Sequence, residues 1–483
     1  MQRLREALLS AECMLGEAIS DQIARHHRRR LRRIGWEHAL DANGSGWAGG
    51  EPAPRPGNAV EIMIDGAEAL PRMATELTSA RSHIHMTNWF LSPDFALVRG
   101  EQPVILRNLL AELAERVDVR ILVWAGAPLP LFRPSRREVR DMRERLTKET
   151  RIQCGLDPKE RPMHCHHEKT MVIDDRVAFV GGIDPTWQSG DRFDSVHHPA
   201  RSAIGWHDAT ARIEGPAVAD VAEHFRMRWH EVKGEQLAPV SAPEPAGDVE
   251  LQIVRTVPEH IYEAIPRGDF RILESYARAI RGAQRFIYIE NQFLWSPEIA
   301  RLLREKLVNP PSPAFRILLV LPSSPKSGND DTRGVLAELI DADGDNGRIL
   351  ACALYARSGS RCDAIYVHAK VAVIDDRWLT LGSANLNEHS LFNDTEMNIV
   401  AHAPELAVET RRRLWAEHLE LPAGEIPADP IRAIDELWKP ISKEQLERRS
   451  NGRPLTHRLV RLPNVSRRTR RILGPINGIV VDG

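Results

Sequence analysis

Residues 167–184 read HEKTMVIDDRVAFVGGID, and residues 368–385 read HAKVAVIDDRWLTLGSAN. The two stretches align without a gap. Each places His, one residue, Lys, four residues and Asp in a row, followed by a second apolar run that ends in Gly-Gly or Gly-Ser. A single triplet of this kind arises by chance in surface loops. Two, each at the same place in a longer repeat, are a strong signal.

The repeat extends well beyond the triplets. Residues 84–94 read IHMTNWFLSPD and residues 287–298 read IYIENQFLWSPE, each an alternating β-branched and aromatic run that predicts a strand ending in a loop. An amphipathic pattern follows in each copy, over Val104–Arg116 and Pro297–Leu307, and then a buried-type strand, Val119–Trp124 and Arg316–Leu321. His167 lies 83 residues beyond Ile84, and His368 lies 81 beyond Ile287. Each copy closes on a predicted helix, Ala217–Glu231 and Pro404–Glu417. Strands alternating with helices predict an α/β sandwich with a largely parallel or mixed sheet.

A chain of 483 residues exceeds one ordinary core, so two domains are expected. The boundaries read as a basic N-terminal helix and linker (1–57), a first domain (58–235), a Pro/Ala-rich linker (236–247), a second domain (248–430) and a basic C-terminal tail (431–483). The folded body is expected to begin near Val60, after the Gly/Pro/Ala-rich stretch Asp41–Asn58. The run His26–Arg33 (HHRRRLRR) reads first as a solvated helix face and second as a contact for anionic lipid headgroups. The Arg-rich run Arg133–Arg151 reads as a charged helix.

Hydrophobic residues make up 42% and charged residues 27%, with a formal net charge of −2. No global basic field draws in nucleic acid, so attraction to phosphate must be local. Five scattered cysteines fit neither a disulfide framework nor a zinc ribbon, and a reducing compartment is expected. Charges interrupt Met1–Glu17 where a signal peptide would be apolar, and no apolar run reaches a membrane span. The expectation is a cytoplasmic protein with peripheral contact at the inner membrane, with leaderless export a second possibility.

His and Lys two apart on a strand project from one face. A phosphoryl site uses such a face, with one group to attack phosphorus and a cation to hold the non-bridging oxygens. The candidate catalytic set is therefore His167, Lys169, Asp174, His368, Lys370 and Asp375. Asp174 and Asp375 stand at an odd offset from Lys, and a structural or indirect role is expected for them. Gly181-Gly182 and Gly382-Ser383 predict tight turns where backbone N–H groups approach a ligand. Asn385 is a candidate donor to a phosphoryl oxygen. Asp184, which stands in its place in the first copy, would repel a phosphate unless protonated or turned away. A carboxylate on one ring nitrogen raises the basicity of the other. Glu396 is the candidate for this in the second copy, and Asp208 is expected to serve His167 in the same way.

The paired motifs resemble the phospholipase D superfamily. The stretches IYIENQF (287–293), GGID with GDRFD (181–194) and WHDATARIEGPAVADVAEHF (206–225) are similar to its eukaryotic-type branch. The resemblance covers about residues 58–420. It implies two similar α/β/α sandwich domains with mixed sheets, packed as a pseudo-dimer around one active site. It further implies a two-step displacement through a phosphohistidine. His167 is then the nucleophile and His368 the acid and base, with Lys169, Lys370 and Asn385 on the phosphate. Ser383 accompanies Asn385, and Glu396 orients its histidine. The implied substrate is a glycerophospholipid at a membrane surface, with water or an alcohol as acceptor, no cofactor, no metal and no nucleic acid. Rival readings are a cardiolipin-type synthase, a nuclease and a catalytically silent phospholipid-binding scaffold. The His164-Cys165-His166-His167 cluster is not expected to hold a metal. His197 and His198 read as loop residues, and Trp89, Phe90, Phe293 and Trp295 as core.

Overall fold

A computed structural model of the chain describes residues 21–129, 132–188, 190–193, 198, 205–323, 329–358 and 361–463. His197, the Arg467–Arg471 run and most of the first predicted helix lie outside the described residues.

The two copies of the repeat build the same sheet twice. In the first, strands Gln153–Asp157, Asp118–Trp124 and His83–Asn88 run parallel. Thr170–Ile173, Val177–Gly181, Ala209–Glu214 and Arg55–Ile64 then follow antiparallel. In the second, Ile349–Ser358, Arg316–Val320 and Phe286–Glu290 are the parallel set. Val371–Ile374, Trp378–Gly382, Glu396–His402 and Val249–Val257 complete the antiparallel part. The central parallel strands His83–Asn88, Asp118–Trp124, Phe286–Glu290 and Arg316–Val320 are buried along nearly their whole length, as strands covered on both faces must be, while Gln153–Asp157 is partly exposed. The first strand of each copy forms an edge, and these two edges meet where Arg55 and Asn58 face Leu251 and Val249. The α/β architecture with mixed sheets is thus present, and among the described residues the sheets fuse into one of 17 strands.

Helices Asp65–Thr78, Leu106–Leu113 and Arg136–Thr147 cover one face of the first copy, around Ile84, Ile121 and Trp124. Helices Arg271–Gly282 and Pro297–Val308 cover the second, around Ile287, Ile289 and Leu319. A third core joins the copies. It packs Val172, Val180 and Val218 with Val373, Leu381 and Trp415, so the closing helices Val218–Lys233 and Pro404–Leu419 contribute to one shared interior. Trp89, Phe90, Phe293 and Trp295 are buried.

The motif aspartates occupy the turns of two hairpins. Asp174 and Asp175, like Asp375 and Asp376, have φ between 51° and 55°. Two successive positive φ values make the tight hairpin turn that matches strand twist, and Asp is among the residues that tolerate it.

Three stretches are more integrated than their composition suggests. The basic helix (21–34) buries His27, Arg30, Leu31 and Ile34 against the second copy. Arg30 pairs with Glu259 at 2.6 Å and His27 with Glu298 at 2.9 Å. Arg25, His26, Arg29, Arg32 and Arg33 remain as the solvated face. The stretch read as a linker is a strap across the second copy, where Gln252 binds both the N–H and the C=O of Ala48. Its strand starts at Arg55 rather than near Val60. The region from 431 to 462, read as part of a tail, is folded. Ile434 and Trp438 are buried, and Leu459–Arg461 pairs with Cys352–Leu354.

Candidate active site

His167 and Lys169, expected on a strand, lie instead on the extended lead-in to one that starts at Thr170; His368 and Lys370 likewise precede Val371. Each lead-in crosses to the other copy. The His167 N–H donates to Thr395 O at 2.9 Å, and the His368 and Ala369 N–H groups donate to His207 O at 2.8 and 3.0 Å. The residue after Thr395 is Glu396, and the residue after His207 is Asp208. These backbone bridges set the carboxylates opposite the histidines of the other copy.

The pairing is therefore crossed. His167 Nδ1 lies 2.9 Å from Glu396 Oε1, and His368 Nδ1 lies 2.7 Å from Asp208 Oδ2. The expectation that Asp208 serves His167 and Glu396 its own copy's histidine is corrected. Each imidazole is held by a carboxylate that only the folded pseudo-dimer supplies. An Nδ1–H donated to a carboxylate leaves the reactive lone pair on Nε2. The two imidazoles face each other with centroids 6.5 Å apart at 69°, and both are buried.

The cations sit beside them. Lys169 Nζ donates to His167 O at 2.6 Å and pairs with Asp184 Oδ2 at 3.2 Å. Lys370 Nζ donates to His368 O at 2.5 Å and to Gln292 Oε1 at 3.1 Å. Asp184 also accepts from Asn88 Nδ2 at 3.0 Å, so it steadies Lys169 instead of facing a phosphate. Asn385 Nδ2 donates to Gln292 Oε1 at 3.2 Å, placing Asn385, Gln292 and Lys370 together.

Gly181, Gly182 and Ser383 work differently from the expected ligand-binding turn. The N–H groups of Gly181, Gly182, Gly382 and Ser383 are consumed by Lys169, Ala209, Lys370 and Met397 carbonyls. Gly182 is required by close approach, since a Cβ there would lie 2.1 Å from Asp208 Oδ1. In the second copy the Ser383 hydroxyl instead donates to Glu396, as does Ser390 at 2.5 Å.

Asp174 and Asp375, counted in the catalytic set, stand at the far end of their strands, about 13 Å from the His-Lys lead-in by strand rise. Asp174 accepts the N–H groups of Arg81, Ser82 and His83 at 2.7–2.9 Å, and Asp375 those of Gln284, Arg285 and Phe286 at 2.6–2.8 Å. They pin the hairpin to the central parallel strand and do not touch the histidines.

Burial and charge tune the site. Burial pushes the Glu396 carboxyl up to about 8, against the nearby Lys169 charge and the Ser383 and Ser390 hydroxyls. Burial likewise raises Asp208 to about 6, opposed by Lys370 and Arg192. His368 is held well below its ordinary value by burial, then by Lys370, Arg192, Lys169 and His167. The site disfavours another positive charge and is suited to an anion.

Arg192 was not among the expected site residues, although GDRFD was singled out. It is buried, and its guanidinium lies 3.2 Å from the centroid of Trp206, which packs 4.4 Å from His368. Its Nη2 donates to Gln188 O at 3.3 Å, while Nε and Nη1 have no hydrogen-bond partner among the described residues. Burial lowers it to about 10, and Asp184 and Asp208 draw it the other way. An isolated Arg offers no sequence signal for such a position. Gln292 was also missed, within a strand-end motif whose polar residues are placed only by the loop that follows.

The His164–His167 cluster disperses. His164 meets His389 at 2.9 Å, His166 meets Thr395 at 2.7 Å and Asp157 at 3.2 Å, and His167 enters the site. His198, read as a loop residue, is buried beside Asp65 and Glu417.

Residues 345–434 match the family model described as Phospholipase D. The chain is 27% identical over 461 residues to phospholipase D A of Dictyostelium discoideum, which covers 75% of this chain and 36% of the relative. It is 24% identical to phospholipase D alpha 1 of Cynara cardunculus (79% and 68%) and 23% identical to phospholipase D2 of Bos taurus (73% and 50%). The chain thus spans between about a third and two thirds of the length of these relatives. Among solved structures, phosphatidylserine synthase of Haemophilus influenzae Rd KW20 superposes with a TM-score of 0.53 at 14% identity, over 81% of this chain and 93% of that one. That likeness concerns the fold alone.

Proposed function

We propose, for a chain that belongs to the phospholipase D superfamily and its eukaryotic-type branch, that it cleaves or exchanges the headgroup phosphodiester of a glycerophospholipid through a phosphohistidine. The observation that carries this reading is the facing pair of imidazoles, each backed by a carboxylate of the other copy and flanked by a buried lysine.

In the first step His167 Nε2 attacks phosphorus. The bond to the headgroup oxygen breaks, and His368 gives that oxygen its proton. In the second, His368 takes a proton from water or an alcohol, whose oxygen attacks phosphorus and displaces His167. Lys169, Lys370 and Asn385 hold the non-bridging oxygens. The low proton affinity of His368, set by burial and the neighbouring cations, fits this order. A phosphodiester anion offsets the lysine and Arg192 charges and so restores the proton that the leaving group needs. Glu396 and Asp208 orient the imidazoles without touching substrate.

Peripheral contact with a phospholipid surface follows from the substrate. Among the described residues no helix is long and apolar enough to cross a membrane. The exposed basic face of the N-terminal helix supplies a surface for anionic headgroups. The test is mass spectrometry of lipid products after incubation with mixed phospholipid vesicles, with and without a primary alcohol. Phosphatidic acid that converts to phosphatidyl-alcohol is expected. Cardiolipin would redefine the enzyme as a synthase, and no lipid product would overturn the reading. His167→Ala and His368→Ala should each abolish turnover while circular dichroism stays native; activity in either excludes a shared site.

A further inference from the structure

A second cluster lies directly behind Asp208, and the proposed chemistry does not use it. Asp65, His198 and His207 come from the first copy, and Glu417 from the closing helix of the second. All four are buried, and their ligand-type atoms lie within 4.8 Å of one another. We propose that these four side chains form a structural site for one divalent metal ion, zinc by ligand type and geometry, which staples the two copies beneath the catalytic carboxylate.

The distances suit an ion. Four ligands at about 2.0–2.1 Å from tetrahedral zinc lie about 3.3 Å apart. Here His198 Nε2 is 3.0 Å from Asp65 Oδ2 and 2.7 Å from Glu417 Oε1, while His207 Nδ1 is 3.0 Å from Asp65 Oδ1 and 3.5 Å from Glu417 Oε1. Several of these approaches are not hydrogen bonds. His207 Nδ1, Asp65 Oδ2 and Glu417 Oε2 have no hydrogen-bond partner among the described residues despite complete burial. Side chains that converge on a common point without donor–acceptor alignment are arranged as ligands around a centre.

The surroundings match as well. His207 Nε2 lies 2.8 Å from Glu290 Oε2, and Glu290 Oε1 lies 2.8 Å from His418 Nε2. A metal-bound imidazole characteristically gives its other N–H to a carboxylate, which fixes the ring and strengthens the ligand. Two carboxylates and two neutral imidazoles balance a divalent charge, and nitrogen and oxygen donors in fours favour zinc. Arg458 Nη1 lies 3.5 Å from Glu417 Oε1. The site bears on catalysis through Asp65, whose N–H donates to Asp208 O at 2.8 Å and whose Oδ1 accepts the Asp208 N–H at 3.0 Å. The alternative occupant is protons, with imidazolium ions bridging the carboxylates.

Metal content separates the two. The full chain would be expressed in zinc-supplemented medium, purified without a histidine tag and analysed by plasma mass spectrometry and zinc-edge absorption. About one zinc per chain is expected, bound by four nitrogen and oxygen atoms at about 2.0–2.1 Å and no sulfur. His207→Gln and Glu417→Gln should lose the metal, and His164→Asn, in a different histidine cluster, should keep it. Refolding with a chelator should lower the melting temperature of the wild type, and zinc should restore it. Folded wild type holding under about a tenth of a metal per chain, a spectrum with sulfur ligands, or a folded Glu417→Gln protein with full metal would each overturn the site. The wild-type measurement decides even where the variants fail to fold.

Discussion

Exchange of the orienting carboxylates between copies makes Glu396→Gln and Asp208→Asn kinetically distinct. Both carboxylates are buried, and their bonds to Nδ1 are 2.9 and 2.7 Å. Above about pH 8, where Glu396 too is ionised, an amide keeps the shape but loses the charge-assisted bond, a cost of about 1.5–3 kcal/mol, or roughly a 10–150-fold loss of rate in the step that the histidine serves. Where the amide also reverses the tautomer, the loss approaches ~10⁴. p-Nitrophenolate leaves a phosphatidyl ester without needing a proton, so in the proposed mechanism its release reports the attack of His167 alone. With this substrate in a rapid-quench experiment, Glu396→Gln should slow the burst of nitrophenol. Asp208→Asn should preserve the burst, slow turnover and let the adduct accumulate at His167, visible in the intact-protein mass. The opposite pattern, with Asp208→Asn slowing the burst and Glu396→Gln trapping the adduct, would refute the crossed pairing.

Further outcomes follow from the geometry. The proton on Glu396, held to about 8, must leave before the carboxylate can orient His167 as an anion, so kcat/KM should rise with pH toward a plateau above that value. Ser383→Ala removes a hydroxyl that favours the ionised form, so the same limb should move to higher pH; an unmoved limb in a folded variant excludes Glu396 as its source. Because this carboxyl is raised on folding, its stabilising contribution is full below the unfolded value of 4.5 and is lost as pH rises through about 8. Glu396→Gln should therefore flatten the fall in melting temperature between about pH 4.5 and pH 8. Arg192→Gln should lower kcat/KM by roughly 10–150-fold, the worth of a charge-assisted bond to phosphate, and near-normal kinetics would remove Arg192 from the anion site. Asp375→Ala should cost about 3 kcal/mol of stability by stripping three backbone N–H groups of their acceptor, read by denaturant titration. A fully stable but inactive Asp375→Ala would instead mean a direct chemical role.

Local pattern made much of this protein legible. Strand periodicity located the central strands near Ile84, Ile121, Ile287 and Leu318, because buried parallel strands are continuous apolar runs. The doubled His-x-Lys spacing marked His167, Lys169, His368 and Lys370, and the structure gathers them at one place because the fold repeats with the sequence. The odd offset of Asp174 and Asp375 separated them from that face, and their φ values near 55° explain why a turn-tolerant residue stands there.

Partnership across the pseudo-dimer was decided by tertiary structure alone. His167 finds Glu396 229 residues away and His368 finds Asp208 160 residues away, because His167 and His368 lead-ins bridge to backbone of the opposite copy. Periodicity within one copy favours the nearer carboxylate and carries no information about which copy supplies it. The same limit hid the role of Gly182, which is spared a Cβ by Asp208 and not by its own backbone angles, and the convergence of Asp65, His198, His207 and Glu417. Residue types and their spacing marked the His and Lys that each copy carries. Which groups complete it depended on how two copies pack, since hydrogen bonds and ligand distances are set by positions in space that spacing along the chain does not encode.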